Sequence, residues 1–323
     1  MNKEQALNRA REVMRRQHKA LNTEQVYLHW LGRYINALGQ MPAALTSEQK
    51  MERFLTELAQ RDVSASTQNQ AFNAILFFYR DCLGVQLKGI DALRATRPEH
   101  QRRALSVEDT RTLLAAVRDE GGYPANLIVH LLYGCGLRLG EGIALRVKDI
   151  DVPEQQIFIR EPKFGRDRVV KMPCALVPRI EQQLEAAKIA WLKDRQMKTP
   201  VQLPHQLRRK YPEFEWSWQW AWFTPMKFPC HDPRSLQTAN PRWVRWHCLP
   251  SVVQRAVKRA RRETGIMAVP HELRHSYATH CLNRGVNLKA LSEAMGHKQI
   301  ETTAGYCHAE ALSVASPLDT LQP

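Results

Sequence analysis

The 323-residue chain predicts a mainly α fold with a small antiparallel β-sheet, an α+β architecture split between a helical N-terminal domain and a larger C-terminal one. Three observations predict it. Apolar residues recur at i, i+3 and i+4 through most of the chain, the period of an amphipathic helix. One stretch, Ile150–Pro173, changes to alternation and β-branched clusters. Arg94–Arg103, with Pro98, four arginines and no apolar period, separates two regular parts.

Each element follows in order. The opening segment to Lys19 predicts a weaker helix carrying Arg9, Arg11, Arg15, Arg16 and Lys19. In Thr23–Leu38, Val26, Tyr27, Trp30, Leu31, Tyr34, Ile35 and Leu38 form one apolar face, with Asn22 as N-cap and Gln25 three residues on. Ser47–Gln60 repeats the pattern through Met51, Phe54, Leu55 and Leu58, and Ser66–Leu83 carries Phe72, Ile75, Leu76, Phe78 and Tyr79 before stopping near Gly84. These define a domain over residues 1–97, a linker at 98–104 and a second domain over 105–323. Ser106 and Asp109, spaced like a capping box, start the next helix. Gln156–Arg160 and Arg168–Lys171 predict two strands around a tight turn at Pro162–Asp167. Helical patterns return at Ala175–Arg195 and again from Ser251 nearly to the end. Trp216, Trp218, Trp220 and Trp222 alternate, which fits either an apolar strand packed on the body or a platform on which unpaired bases stack.

Charge narrows the function. The chain has 47 Lys and Arg against 32 Asp and Glu, a net of +15. Met1–Arg97 holds 14 basic and 9 acidic residues and the remainder 33 and 23, so both parts are basic and the excess is not one cationic tail. A polyanion gripped by two domains explains this best, with the N-terminal helices as a DNA-binding domain. No apolar run approaches the ~18 residues of a membrane span. The N-terminus lacks the apolar stretch of a signal peptide, which predicts a cytoplasmic protein with no membrane partner. Seven scattered cysteines, never spaced C-x-x-C, predict free thiols in a reducing compartment and neither a disulfide frame nor a zinc site.

The C-terminal half carries a series of basic groups and one tyrosine: Arg138 in GCGLRLGE, Lys163 in REPKFGRDR, His271 and Arg274 in HELRHSYATH, His297 in MGHKQIETT and Tyr306 in AGYCHAE. Singly these are uninformative; in this order they resemble the tyrosine recombinases, the phage-integrase-like family. The resemblance covers essentially the whole chain. It implies a helical core-binding domain and a catalytic domain that form a clamp around DNA. Tyr306 would attack a phosphodiester to leave a 3′-phosphotyrosyl bond and a free 5′-hydroxyl. Arg138 and Arg274 would fork onto the non-bridging oxygens, a geometry Lys cannot reproduce. His271 would exchange the tyrosine proton, His297 would hydrogen-bond the scissile phosphate, and Lys163 would protonate the departing 5′-oxygen. The resemblance implies no metal and no cofactor, because side chains supply the cations. Glu141, three residues after Arg138, is read as supporting the helix. Two departures stand out: Pro162 and Phe164 replace glycines of the family's turn, and Gly305 precedes Tyr306.

Within that family the stretch at about 196–249 is longer than simple members need. Its K-Y-P, W-Q-W and D-P-R-S segments resemble the insertion of integron integrases, as do HKALNTEQVYLHW near the start and the closing SPLD. Those enzymes recombine a duplex attI site with an attC hairpin folded from a single strand, moving gene cassettes. That implies Trp218, Trp220 and His247 as candidates for base contact, with Trp246 where a paired histidine would stand. It also implies a homotetramer on DNA with an exchanged tail at 309–323. A chromosome-dimer-resolving or phage-type recombinase on duplex DNA, a catalytically decayed DNA-binding integrase and a relaxing topoisomerase remain alternatives.

Overall fold

The computed structural model describes residues 1–61, 63–89, 104–160, 167–235 and 240–296. The chain divides into two compact units, Met1–Gln101 and Arg102–Pro323.

The first unit is built from α1 (Lys3–Arg16), α2 (Leu21–Leu38), α3 (Ser47–Gln60) and α4 (Ala65–Phe77). Asn2 with Gln5 and Thr46 with Gln49 form capping boxes that satisfy the first amides of α1 and α3. The apolar stripes of α2, α3 and α4 meet in a core around Trp30, Tyr34, Met51, Phe54, Leu58, Phe72 and Ile75, and α1 covers Leu31 and Phe77 with Ala10 and Met14. Burying such a Leu or Phe stabilises the unit by about 1.5–3 kcal/mol. Two local expectations are corrected. Asn22 does not cap α2: the helix begins at Leu21, the Ala20 carbonyl accepts from Glu24 N at 3.0 Å, and Asn22 lies in the first turn. The acidic Glu24 there faces the positive helix end. The last predicted helix starts one residue early at Ala65 behind the cap Ser64, and continues past Phe77 as a π-helical segment, Phe78–Leu83, closed by Gly84 in the left-handed conformation. Not every basic residue of α1 is left for a polyanion. Arg9 donates to the Cys82 carbonyl at 2.6 Å, and Arg15 pairs at 3.0 Å with the buried Glu24.

The second unit packs α5 (Val107–Ala116), α10 (Pro250–Thr264) and α11 (Pro270–Asn283) around the apolar helix α6 (Ala125–Gly134). Leu127, Ile128, Val129, Leu131 and Leu132 are all buried there, so α6 is wrapped rather than amphipathic. Ser106 caps α5 by accepting from Asp109 N at 2.9 Å. The expected sheet forms as β1 (Ile150–Asp151), β2 (Gln156–Ile159) and β3 (Arg168–Lys171), all antiparallel, with Ile157 opposite Val170 and Ile159 opposite Arg168. Ile157, Ile159 and Val170 face the core. Two-residue alternation therefore sends Arg168 inward with Val170, an unusual place for a cation. α8 (Val177–Gln196) and α12 (Leu288–Met295) complete the frame of the site, and the short helix α9 (His205–Lys210) follows α8.

Candidate active site

The G-x-G-x-R turn after α6 is dictated by close packing. Gly136 has φ +62°, and a Cβ there would lie 2.5 Å from two ring carbons of Tyr277 on α11, so only glycine fits. The turn delivers Arg138 to the cap position of α7 (Leu139–Ile143). Glu141, in the first turn of α7, accepts from Arg138 N at 2.8 Å and from its Nη1 at 2.7 Å. The guanidinium is about one-third exposed, with side-chain accessibility 34%.

α11 carries the second pair. Pro270 occupies its first turn, where no amide is needed, and Val269 N donates to Glu272 Oε2 at 2.7 Å. Ser276 and His280 tie the same helix to Leu105, accepting from its amide at 3.0 Å and contacting its carbonyl at 2.9 Å. The spacing of three places His271 and Arg274 on adjacent rows but at different depths. His271 is exposed, whereas Arg274 is 1% exposed. Arg138 and His271 line one cleft of about 200 Å³ with Leu139, Gln254, Val269 and Pro270.

The three described cations converge on Glu141 and on the end of α12. Arg168 donates to Glu141 through Nη2 at 2.7 Å and Nη1 at 3.2 Å, and Arg274 Nη1 stands 3.8 Å from the same carboxylate. Burial alone would push the Glu141 carboxyl up, but the hydrogen bonds and charges of Arg168 and Arg138 hold it below the ordinary range. Three successive carbonyls end α12, and each accepts from a different arginine. Ala294 O receives Arg168 Nε at 2.8 Å, Met295 O receives Arg274 Nη2 at 2.5 Å, and Gly296 O receives Arg138 Nη2 at 3.2 Å. A helix C-terminus carries partial negative charge, which favours this gathering. Lys163, His297 and Tyr306, and the tail 309–323, lie outside the described residues. Sequence reasoning read Arg168 only as part of a strand; its inward position in the β3 alternation was the signal of a buried partner.

The Trp-rich segment differs from the expected strand. Pro212–Trp216 and Trp218–Trp220 are 3₁₀ turns, whose three-residue period breaks the alternation. The rings pair within the protein instead. Trp218 packs on Trp191 of α8 at 5.7 Å with Lys188 Nζ 4.6 Å above it. Trp220 stacks on Phe214 at 5.3 Å, and Phe214 on Tyr211 at 5.0 Å. Trp222 lies under the Arg146 guanidinium at 3.6 Å, and the edge of His247 meets it at 4.9 Å. Burial holds the His247 imidazole below its ordinary pKa. Trp220 and His247 thus belong to one chain of contacts through Arg146 and Trp222, whereas Trp218 sits with α8. Among the described residues the open aromatics are two others, Phe228 at 75% and Trp243 at 52% exposure, the latter on the ribbon β4 (Cys230–His231)–β5 (Trp243–Val244).

Residues 6–89 match the N-terminal SAM-like domain of phage integrases, and residues 103–213 and 244–312 match the phage integrase family. The chain belongs to the phage integrase family. It is a tyrosine recombinase, an enzyme of site-specific DNA recombination. An integrase/recombinase of Escherichia coli and one of Pseudomonas aeruginosa are each 37% identical to this recombinase over 325 residues, covering 98% of it and 94% of the relative. The tyrosine recombinase XerA of Thermococcus kodakarensis is 28% identical over 298 residues, covering 89% and 85%. Among solved structures, the Tn1549 transposon integrase bound to transposon right-end DNA shares the fold at TM-score 0.59 and 16% identity, covering 98% and 96%. A lambda integrase dimer bound to a core site does so at 0.59 and 13%, covering 97% and 98%.

Proposed function

We propose that this recombinase is an integron integrase that joins a folded single-strand attC hairpin to a duplex attI site and so moves gene cassettes. The phenol of Tyr306 attacks the scissile phosphorus while its proton passes to His271; the P–O5′ bond breaks, and Lys163 gives the departing oxygen a proton. Arg138, Arg274 and His297 stabilise the phosphorane, whose charge grows from one to two. Reversal with another 5′-hydroxyl reseals the strand without ATP. The observation that carries the catalytic reading is that Arg138 shares one cleft with His271 and, together with Arg274, meets Glu141 and the end of α12.

For the integron class, the support is the Trp-rich segment. The family match skips residues 214–243, which lie within the stretch at about 196–249 read as an insertion. That stretch holds Trp218, Trp220 and His247, half-buried against neighbouring rings, and Trp243 and Phe228, which are exposed. Residues 1–97 and the catalytic domain both bind the DNA, and the tail 309–323 reaches a neighbour in a homotetramer. A recombinase acting on duplex sites alone is the second reading, favoured by the likeness to XerA.

Covalent trapping on nicked substrates separates them. An attC-like hairpin and the matching linear duplex are incubated with the protein, and a shifted band is sought on a denaturing gel. A Tyr306-dependent adduct favouring the hairpin is expected, and Trp218→Ala should weaken hairpin binding by ~1–3 kcal/mol more than duplex binding. An adduct on duplex alone refutes the integron reading. Binding without any adduct, or an adduct that persists in Tyr306→Phe, refutes the catalytic one.

A further inference from the structure

We propose that Arg168 is a positioning residue for strand cleavage. It neutralises Glu141 and anchors α12, so that Arg138 and Arg274 keep their full positive charge for the phosphate. This rests on the roles given to Arg138 and Arg274 above.

The geometry is closed. A carboxylate offers about four lone-pair sites. On Glu141 all four meet described donors, namely Arg138 Nη1 and Arg168 Nη1 on Oε1, and Arg138 N and Arg168 Nη2 on Oε2. Arg168 itself is nearly buried, its side chain 8% exposed, and its Nε reaches Ala294 O. The approach is tight: a Cβ on Gly296 would fall 3.0 Å from Arg168 Nη1, and Gly296 has φ +64°. Arg168 comes from the sheet, Glu141 from α7 and the carbonyls from α12, so one guanidinium joins three elements that carry no covalent tie to one another nearby.

The charge count gives the clamp a purpose. Among these four side chains, three guanidinium cations oppose one carboxylate, leaving two positive charges. A phosphodiester carries one negative charge and the phosphorane two, so the set matches the transition state better than the ground state. Without Arg168 one positive charge remains, enough to hold the substrate but short for the reaction. Loss of Arg168 should therefore slow cleavage and spare affinity.

The test compares wild type, Arg168→Gln, Arg168→Met and Arg168→Lys in full-length protein. First-order cleavage is measured on a nicked duplex or hairpin with a natural scissile phosphate, and again with a neutral methylphosphonate there. On the diester, Arg168→Gln and Arg168→Met should cleave roughly 10–100-fold more slowly, with DNA Kd within about threefold. Arg168→Lys should regain part of the rate. On the methylphosphonate, whose transition state carries one negative charge fewer, Arg168→Gln should come within about threefold of wild type. An equal slowing on both substrates, or a diester rate like wild type, overturns the inference. Should Arg168→Met unfold, Arg168→Gln, which retains hydrogen-bonding groups, decides it. Tyr306→Phe runs alongside: an adduct there defeats the catalytic reading itself, whereas its loss together with an indifferent Arg168→Gln defeats only this inference.

Discussion

Gly136→Ala tests the packing that sets the cleft. The new methyl would stand 2.5 Å from Tyr277 Cδ1 and Cε1, and the residue would hold φ +62°. The left-handed backbone costs an L-residue roughly 1–2 kcal/mol. Displacing a packed ring costs about 1–3 kcal/mol more. The total, about 2–5 kcal/mol, should lower Tm by roughly 4–20 °C for a unit of this size. Urea and thermal unfolding of the full chain, followed by circular dichroism, read it directly. A second background separates the two contributions. With Tyr277→Ala already present the ring is gone, and Gly136→Ala should then cost only the backbone part, about 1–2 kcal/mol. Equal penalties in both backgrounds, or a loss under about 0.5 kcal/mol in the wild-type one, would refute the reasoning. Cleavage should fall beyond the loss of folded protein, because the Gly136 carbonyl also accepts from Arg274 Nη1 at 2.5 Å.

Two further outcomes follow from the buried charges. Arg245 and Asp194 form a buried ion pair, with Arg245 Nε 2.7 Å from Oδ2 and Nη2 bonded to Oδ1. Asp194→Asn should destabilise by about 3–5 kcal/mol in urea unfolding, because it leaves a buried cation poorly matched. Glu141 titrates below its unfolded value when folded, so its ionisation contributes stability that is complete above pH 4.5, the ordinary value, and lost as pH falls through the folded value. Glu141→Gln should accordingly flatten the fall of stability on the acid side of pH 4.5 while lowering stability at pH 7; an unchanged acid limb would show that Glu141 is not a source of the pH dependence.

Periodicity was enough for the helices and the sheet. Thr23–Leu38 and Ser47–Gln60 carry uninterrupted apolar stripes, and β2 and β3 alternate over only four residues each yet fall where β-branched residues cluster. The site was legible where the chain writes it locally, in the G-x-G-x-R turn and in H-x-x-R. What escaped is long-range. Arg168 and Glu141 are 27 residues apart, and nothing in a strand of RVVK states that its first side chain crosses to α7. The tryptophans misled for a related reason: alternation alone cannot distinguish a strand from consecutive short turns whose rings find separate partners on α8, on Phe214 and on Arg146.

Arg146 gives the Trp-rich segment a property beyond recognition. Its guanidinium is buried, with Nη2 on Gln202 O at 2.9 Å, Nη1 on Trp220 O at 2.5 Å and its face on Trp222. Burial lowers its pKa to about 9. Neighbouring backbone is sewn to the same segment, Phe223 N to Leu145 O at 2.9 Å and Val147 N to Ala221 O at 3.0 Å. Every one of those partners belongs to residues 202–223, while Arg146 follows Arg138 by only eight positions. Trimming the segment to a short linker would strip a buried cation eight residues from Arg138 of its acceptors and uncover Leu145. The segment is therefore not a removable accessory: shortening it should unsettle the chemistry before any question of which DNA is chosen can arise.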